Sequence, residues 1–296
     1  MSVGTPEAEV SVDEALVREL LLEQHSDLAD RPLRFVEAGF DNFMFRLGSE
    51  HVVRLPRRET SADLIRNEQR CLPLLAPKLP LPIPAPIRTG VPSTLYPWHW
   101  SVLPWLPGRA ADEEAIASDQ AIPFAAFLRA LHRPAAADAP DNPFRGCPLA
   151  DRAEPVGERL VRLREKTSLI TSAVEQTWQT ALAAAASTEA LWIHGDLHAR
   201  NTLVEGGKII GIIDWGDVTS GDAATDLASI WGLFEEPSAR REAIETYKPD
   251  ADLLCRAKGW AVSFGALLLD TGLVDHPRHA VMGEDLLRRI AEDSGK

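Results

Sequence analysis

The sequence of 296 residues predicts an α+β fold in two lobes, a mainly β N-terminal lobe over residues 1–107 and a mainly α C-terminal lobe over residues 108–296. Three observations predict it. Short strand-like apolar runs, punctuated by single glycines, crowd residues 33–55. Amphipathic spacing at the helical period dominates after residue 108. Between them the run WHWSVLPWLPG ends at Pro107-Gly108, a natural break.

Residues 12–28 (VDEALVRELLLEQHSDL) read as a first helix, followed by strands at 33–38, 42–47 and 51–55. Ser61 is placed to cap a helix running to about Leu75, with Leu64, Leu72 and Leu75 on one face. The stretch PKLPLPIPAPI has proline at every second position from Pro80 to Pro86, which suits an extended connector and excludes a central strand. Residues 98–106 return to strand-like composition. Beyond Gly108, helices are expected at 123–132, 157–165, 175–186, 223–234, 239–247, 253–269 and 280–290, with two apolar strands at 190–194 and 208–215 as a β hairpin within this lobe.

Composition bounds the partners. With 31 Lys and Arg against 44 Asp and Glu, the net charge of −13 disfavours nucleic acid, whose phosphates need a basic surface. The acidity is uneven: residues 1–107 are net −3 and residues 108–296 net −10, so a cationic ligand would be drawn to the second lobe. No membrane partner is expected, because the longest apolar stretch, residues 261–269, is too short to span a bilayer. The N-terminal stretch MSVGTPEAEVSVDEALVREL has neither a basic nor an apolar region of the secretory kind. Three widely separated cysteines without a C-x-x-C pair point to a reducing, cytoplasmic setting.

The chemistry is concentrated in LWIHGDLHARNTLV, residues 191–204. On a plain strand His194, Asp196 and His198 would share one face and could hold a metal, as in a metal-dependent hydrolase. Alternatively Asp196 accepts a hydroxyl proton and Asn201, five residues on, holds magnesium; Asp-x-x-x-x-Asn is the spacing of a phosphoryl-transfer catalytic loop. Under a third reading the two histidines only hydrogen-bond the loop. The next motif favours phosphoryl transfer: Asp214 ends the apolar run KIIGIIDW just before Gly216, and a carboxylate there, with an Asn carbonyl, makes the hard-oxygen set magnesium prefers. No downstream His or Cys cluster supplies the further ligands zinc would want.

HGDLHARN, IIDWGD and GDAATDLA together resemble the aminoglycoside phosphotransferase family, small-molecule kinases with a bilobal protein-kinase-like fold. The resemblance implies ATP or GTP as donor and Mg2+ bound through Asn201 and Asp214. It also implies an antibiotic or related small-molecule acceptor, with antibiotic resistance as the associated role. Asp196 would be the catalytic base, and His194 and Asp226 would support the catalytic loop, Asp226 through backbone hydrogen bonds. Relatives acting on macrolides, choline, homoserine or sugars keep a metabolite or macrolide kinase open as alternatives.

The family's phosphate-binding lysine is missing from its strand, where HVVRLP offers Arg54; the only lysine of residues 1–107 is Lys78. A guanidinium can take that role with its planar fork, although Arg54 could also be an outward surface charge. Its expected partner is Glu68, which interrupts the apolar face of the second helix and would need a partner if buried. The loop AGFDNFMF has one glycine and no GxGxxG, so phosphate contact by amides near residues 40–42 and a simple hairpin turn are equally open. By analogy the Pro104 carbonyl and the Leu106 N–H would meet adenine, proline keeping its acceptor while lacking a donor. Glu235, Glu236, Asp270 and Asp275 are the candidate carboxylates for a cationic substrate.

Overall fold

The computed structural model describes residues 7–294. Residues 1–6, part of the stretch tested above for a secretory signal, lie outside them. The chain forms two compact units, one of residues 1–78 and 82–107, the other of residues 79–81 and 108–296. No helix among the described residues is long and apolar enough to cross a membrane.

The first unit is built on helix α1 (Glu14–Gln24) and strands β1 (Leu33–Ala38), β2 (Asn42–Leu47) and β3 (His51–Pro56). Helix α2 (Glu59–Leu75) follows, then β4 (Arg88–Gly90) and β5 (Trp100–Pro104). The strands make one antiparallel sheet in the order β1-β2-β3-β5-β4. Asp13 caps α1 by accepting from the Leu16 N–H at 2.8 Å, the favoured use of Asp at an N-cap. Val17, Leu20 and Leu21 of α1 pack with Phe45, Val53, Leu55, Tyr96 and Trp100 into the core of this unit.

Helix α2 starts at Glu59, two residues before the expected cap. The Ser61 hydroxyl is committed elsewhere, donating to Asp41 Oδ1 at 2.7 Å, where Arg58 Nη2 also donates at 2.8 Å. The proline connector leads into β4, a short strand the composition gave no sign of, joined to β5 through Ile87 N–H and the Val102 carbonyl at 2.9 Å.

The second unit contains β6 (Arg109–Ala110), α3 (Ala121–Leu131), α4 (Ala153–Lys166), α5 (Ser172–Ala183), β7 (Leu191–Ile193), β8 (Thr202–Glu205), β9 (Lys208–Ile212) and β10 (Thr219–Gly221). It ends with α6 (Ala224–Leu227), α7 (Ser229–Leu233), α8 (Pro237–Tyr247), α9 (Ala251–Asp275) and α10 (Pro277–Ser294). The expected helix 223–234 is thus two short pieces. The two expected strands do not pair with each other: β7 pairs with β10, and β9 with β8 in a hairpin that also takes β6. Helix α9, with Trp260, Ala261 and Val262 buried, is the axis on which α4, α5, α6 and α10 pack.

One buried charge ties this helical unit together. Arg240 of α8 has a fully buried side chain and donates through Nε and Nη2 to Asp293 of α10, each at 2.8 Å. Its Nη1 donates to the carbonyls of Phe234 and Glu235 at 3.1 and 2.5 Å, and the Trp231 indole adds a bond to Asp293 at 3.0 Å. Burial raises the Asp293 carboxyl, but the hydrogen bond and charge of Arg240 outweigh it and hold it below the usual carboxylate range. A depressed folded-state value contributes stability that is complete above the unfolded value, about pH 4, and is lost as pH falls through the folded value. Asp293→Asn is expected to lower the urea midpoint at pH 7 and to flatten its decline between about pH 5 and pH 2, measured by denaturation at a series of pH values.

Candidate active site

The string that carries the chemistry is a loop between β7 and the hairpin, and it does not behave as a strand. Its shape follows from Asp226, a fully buried carboxylate at the start of the α6 region. Asp226 Oδ2 accepts from the His194 N–H at 2.7 Å and Oδ1 from the Gly195 N–H at 2.9 Å. His132 Nε2 lies 3.3 Å from Oδ2, and its Nδ1 meets the Tyr247 hydroxyl at 2.8 Å. Burial opposes the Asp226 charge, but these donors outweigh it and keep the carboxyl below its usual range. A buried carboxylate needs such compensation.

Gly195 turns the chain with φ +87°, and a Cβ there would stand 2.6 Å from the Asp217 carbonyl oxygen. Both the left-handed backbone and the lack of room require glycine. Gly195→Ala is expected to cost about 1–3 kcal/mol and to displace Asp196. Thermal melts alongside turnover assays check this, with turnover falling further than the folded fraction.

His194 is buried, and its ring joins two segments. Nδ1 accepts from the Asp196 N–H at 3.2 Å and Nε2 donates to the Ile213 carbonyl at 3.0 Å, with the ring 4.6 Å from that of Trp215. With both nitrogens engaged, His194 is not available to a metal, and among the described residues no group of three His, Cys, Asp or Glu is arranged to hold one. The three-ligand reading fails on this geometry. The contact instead ties the Asp196 backbone to the strand end that delivers Asp214.

Asn201 is buried and donates through Nδ2 to the Asp196 carbonyl at 2.9 Å. That commits its nitrogen and leaves the side-chain oxygen as the amide atom that could accept a cation. The Ile213 N–H donates to the Asn201 carbonyl at 2.9 Å, so Asn201 and Asp214 are held by adjacent backbone. Asp214 has φ +60°, a conformation costing a non-glycine residue about 1–2 kcal/mol that tends to persist at functional positions. An amide oxygen and a carboxylate from one rigid corner fit Mg2+, which takes few protein oxygens and fills its shell with phosphates and water.

The Asp196 carboxylate is a quarter exposed and held at both oxygens. Arg145 Nη2 donates to Oδ1 at 2.9 Å, and His198 Nε2 lies 3.3 Å from Oδ2. Burial pushes the carboxyl up, yet the charges of His198 and Arg145 hold it well below the usual range. Neighbouring Asp217 behaves in the opposite way, raised by burial and by the Asp196 charge against the opposing pull of Arg145. The two carboxylates beside Arg145 are thus shifted in opposite directions.

In the first unit both faces of β3 are covered, so Arg54 has no outward option. Val53 and Leu55 point into the α1 core; Arg54 points the other way, onto α2. There Nη1 donates to Glu68 Oε1 and Oε2 at 2.7 and 2.9 Å, with the Glu68 side chain only 1% exposed. With its amide oxygen turned toward the guanidinium, buried Asn42 accepts from Arg54 Nη2 and Nε at 2.9 and 3.0 Å. The segment at Pro104 and Leu106 extends β5: the Trp105 N–H donates to the Glu50 carbonyl at 2.7 Å. Strand alternation therefore turns the Pro104 carbonyl and the Leu106 N–H to the opposite edge.

The four candidate substrate carboxylates are dispersed. Asp270 is engaged by Arg162, Arg159 and Lys166 of α4 at 2.7, 3.6 and 3.7 Å, which makes it a helix-to-helix tie. Asp275 pairs with His276 at 3.3 Å. Exposed Glu235 and Glu236 border a shallow depression with Pro237, Arg288 and Glu292. Sequence reasoning missed Arg145, Asn142 and Asn42. The first two stand in a loop rich in Pro, Ala and Asp whose only cue was a basic residue between Pro143 and Gly146.

A β-sheet unit with a buried strand-to-helix ion pair, followed by a helical unit with an Asp-x-x-x-x-Asn loop and a further Asp after the next strand, is the arrangement of the kinase-like phosphotransferases. The model of the phosphotransferase enzyme family (APH) matches residues 32–256, and the chain belongs to that family. It is similar to an aminoglycoside 3'-phosphotransferase of Escherichia coli, 31% identical over 130 residues, 43% of this chain and 48% of that protein; the chain thus spans about half the length of this curated relative. The fold is that of the solved GDP and kanamycin complex of APH(2")-IIia (TM-score 0.67, 17% identity, 94% of this chain and 98% of that one). It is also that of apo macrolide 2'-phosphotransferase MphH from Brachybacterium faecium (TM-score 0.59, 22% identity, 92% and 97%).

Proposed function

We propose that the protein transfers the γ-phosphate of ATP or GTP to a hydroxyl of an aminoglycoside or related antibiotic, in the cytoplasm, where the nucleotide is abundant. The observation that carries this reading is the coupling of three residues by backbone. Asn201 is bonded to the Asp196 carbonyl, and His194 bridges the Asp196 N–H to the residue before Asp214. These bonds tie Asp196, Asn201 and the segment before Asp214 together, which supports the reading of one as base and two as metal ligands.

Asp196 orients the acceptor hydroxyl and takes its proton. Its low proton affinity suits a transition state in which the phosphoryl group is already loosely bound and positioning outweighs basicity. The Asn201 side-chain oxygen and the Asp214 carboxylate would hold Mg2+, which would supply charge neutralisation on the nucleotide phosphates. Arg54, oriented by Glu68 and Asn42, steadies those phosphates, and the Pro104 carbonyl with the Leu106 N–H reads adenine. Asp226 and His194 hold the loop.

A second acceptor class is favoured by one observation. Asp270 is neutralised by three cations and Asp275 pairs with His276, so two of the four carboxylates expected to receive substrate amines are engaged. A macrolide, with fewer amines than an aminoglycoside, asks less of them. The test is nucleotide turnover by the purified chain with ATP and with GTP against kanamycin, gentamicin, streptomycin and erythromycin, with phosphate localised on any product by mass spectrometry. Acceptor-dependent turnover supports the reading; its absence against the whole panel, with phosphorylation of choline or homoserine instead, would assign the chain to metabolite kinases.

A further inference from the structure

The loop before α4 reaches the catalytic carboxylate with a residue that the catalytic motifs do not include. Arg145 Nη2 donates to Asp196 Oδ1 at 2.9 Å, while its Nε stands 4.0 Å from Asp217 Oδ2. The guanidinium lies over the Phe264 ring of α9, with Cζ 5.1 Å from the ring centroid. Its backbone is equally constrained. Asn142 Oδ1 accepts from the N–H groups of Phe144 and Arg145 at 2.9 and 3.2 Å, and Asn142 Nδ2 donates to Asp217 Oδ1 at 2.7 Å. Gly146 then lies against Gly221 of β10, where a Cβ on Gly221 would come within 2.5 Å of the Gly146 carbonyl oxygen. The loop is thus seated against the strand paired with β7, and its arginine stands between two carboxylates.

We propose that Arg145 is a positioning residue that holds Asp196 in its catalytic orientation and keeps it apart from Asp217. A carboxylate has about four lone-pair positions. Arg145 and His198 take two of them, one on each oxygen, and leave the others for the acceptor hydroxyl. Removing the guanidinium frees the carboxylate to rotate and leaves it facing Asp217 with no cation between them. Lysine keeps the charge but loses the planar fork and the seat on Phe264.

The proposal rests on the kinase reading for its catalytic part, and two measurements separate the two. First, kcat and KM are measured for wild type, Arg145→Ala and Arg145→Lys in the full chain, with ATP and GTP as donors and kanamycin and erythromycin as acceptors. Arg145→Ala is expected to lower kcat about 10- to 100-fold with nucleotide KM within about twofold, and Arg145→Lys to recover part of the loss. In an Asp196→Asn background the alanine substitution is expected to change kcat less than about twofold, because Arg145 acts through Asp196. A kcat for Arg145→Ala within twofold of wild type, or an equal fall in both backgrounds, overturns the proposal.

Second, thermal midpoints are measured for Arg145→Ala with and without Asp196→Asn. Arg145→Ala alone is expected to lower the midpoint, and adding Asp196→Asn to restore part of it by removing the repulsion with Asp217. Equal midpoints for the single and double variants overturn the pairing. Should wild type turn over neither acceptor, the antibiotic-acceptor reading is what fails, and the melting comparison still decides the Arg145 contact.

Discussion

Asp196→Ala is expected to lower turnover by about 10²- to 10⁴-fold, the usual loss of a positioned proton acceptor, while nucleotide affinity stays within a few-fold. The expectation follows from what Asp196 does not do. Its carbonyl, not its carboxylate, holds Asn201, and its N–H, not its side chain, meets His194. Alanine keeps that backbone, so the corner bearing Asn201 and Asp214 survives. Steady-state turnover beside nucleotide titration by calorimetry separates the two effects. An Asp196→Ala protein with near-normal turnover, or one that no longer binds nucleotide, would remove the assigned role.

Glu68→Ala is expected to destabilise the β-sheet unit by about 3–5 kcal/mol, the cost of removing one partner of a buried ion pair. Both short bonds of Arg54 Nη1 go to that carboxylate, and the Arg54 side chain is only 9% exposed. Replacing both residues by apolar ones of similar volume, Arg54→Met with Glu68→Leu, is expected to return most of the stability while nucleotide binding is lost. Urea midpoints give the first comparison and nucleotide titration the second. Should the double variant bind nucleotide as wild type does, Arg54 is a packing residue and its place at the phosphates is withdrawn.

How far the sequence could be read depends on how local each signal is. Asp196, Asn201 and Asp214 are legible because the chemistry needs fixed residue types at fixed spacing within one loop and hairpin. Glu68 is legible because a carboxylate on the apolar face of α2 is costly without a partner. The Arg54 partner on β2 is not, because Asn42 meets it only through the β2–β3 register, Met44 opposite Arg54. Arg145 is hidden for a similar reason: about 50 residues separate it from Asp196, and nothing in NPFRG states that the loop folds back.

Errors in pairing have the same origin. The apolar runs at 190–194 and 208–215 have matching hydrophobicity, and nothing local says that β7 prefers Thr219–Gly221, a polar and glycine-containing segment with little strand propensity. Buried backbone selects that partner, since two touching glycines let the loop at 140–146 close over it. A charge balance over the second lobe cannot tell Asp270, clamped by α4, from a carboxylate open to a ligand. Net charge bounds attraction at a distance and is silent on pairing.

The two amides that Asp226 holds have a bearing on motion. A loop outside regular structure would ordinarily open by itself, at a small fraction of the global stability. Here the His194 and Gly195 N–H groups end on a carboxylate that is itself anchored through His132 and Tyr247 to α3 and α8. Releasing the loop means exposing a buried anion and breaking contacts between helices. The loop is therefore expected to open together with the helices that anchor Asp226, and amide exchange at His194 and Gly195 as slow as that of α3 and α8 is the result that would show it.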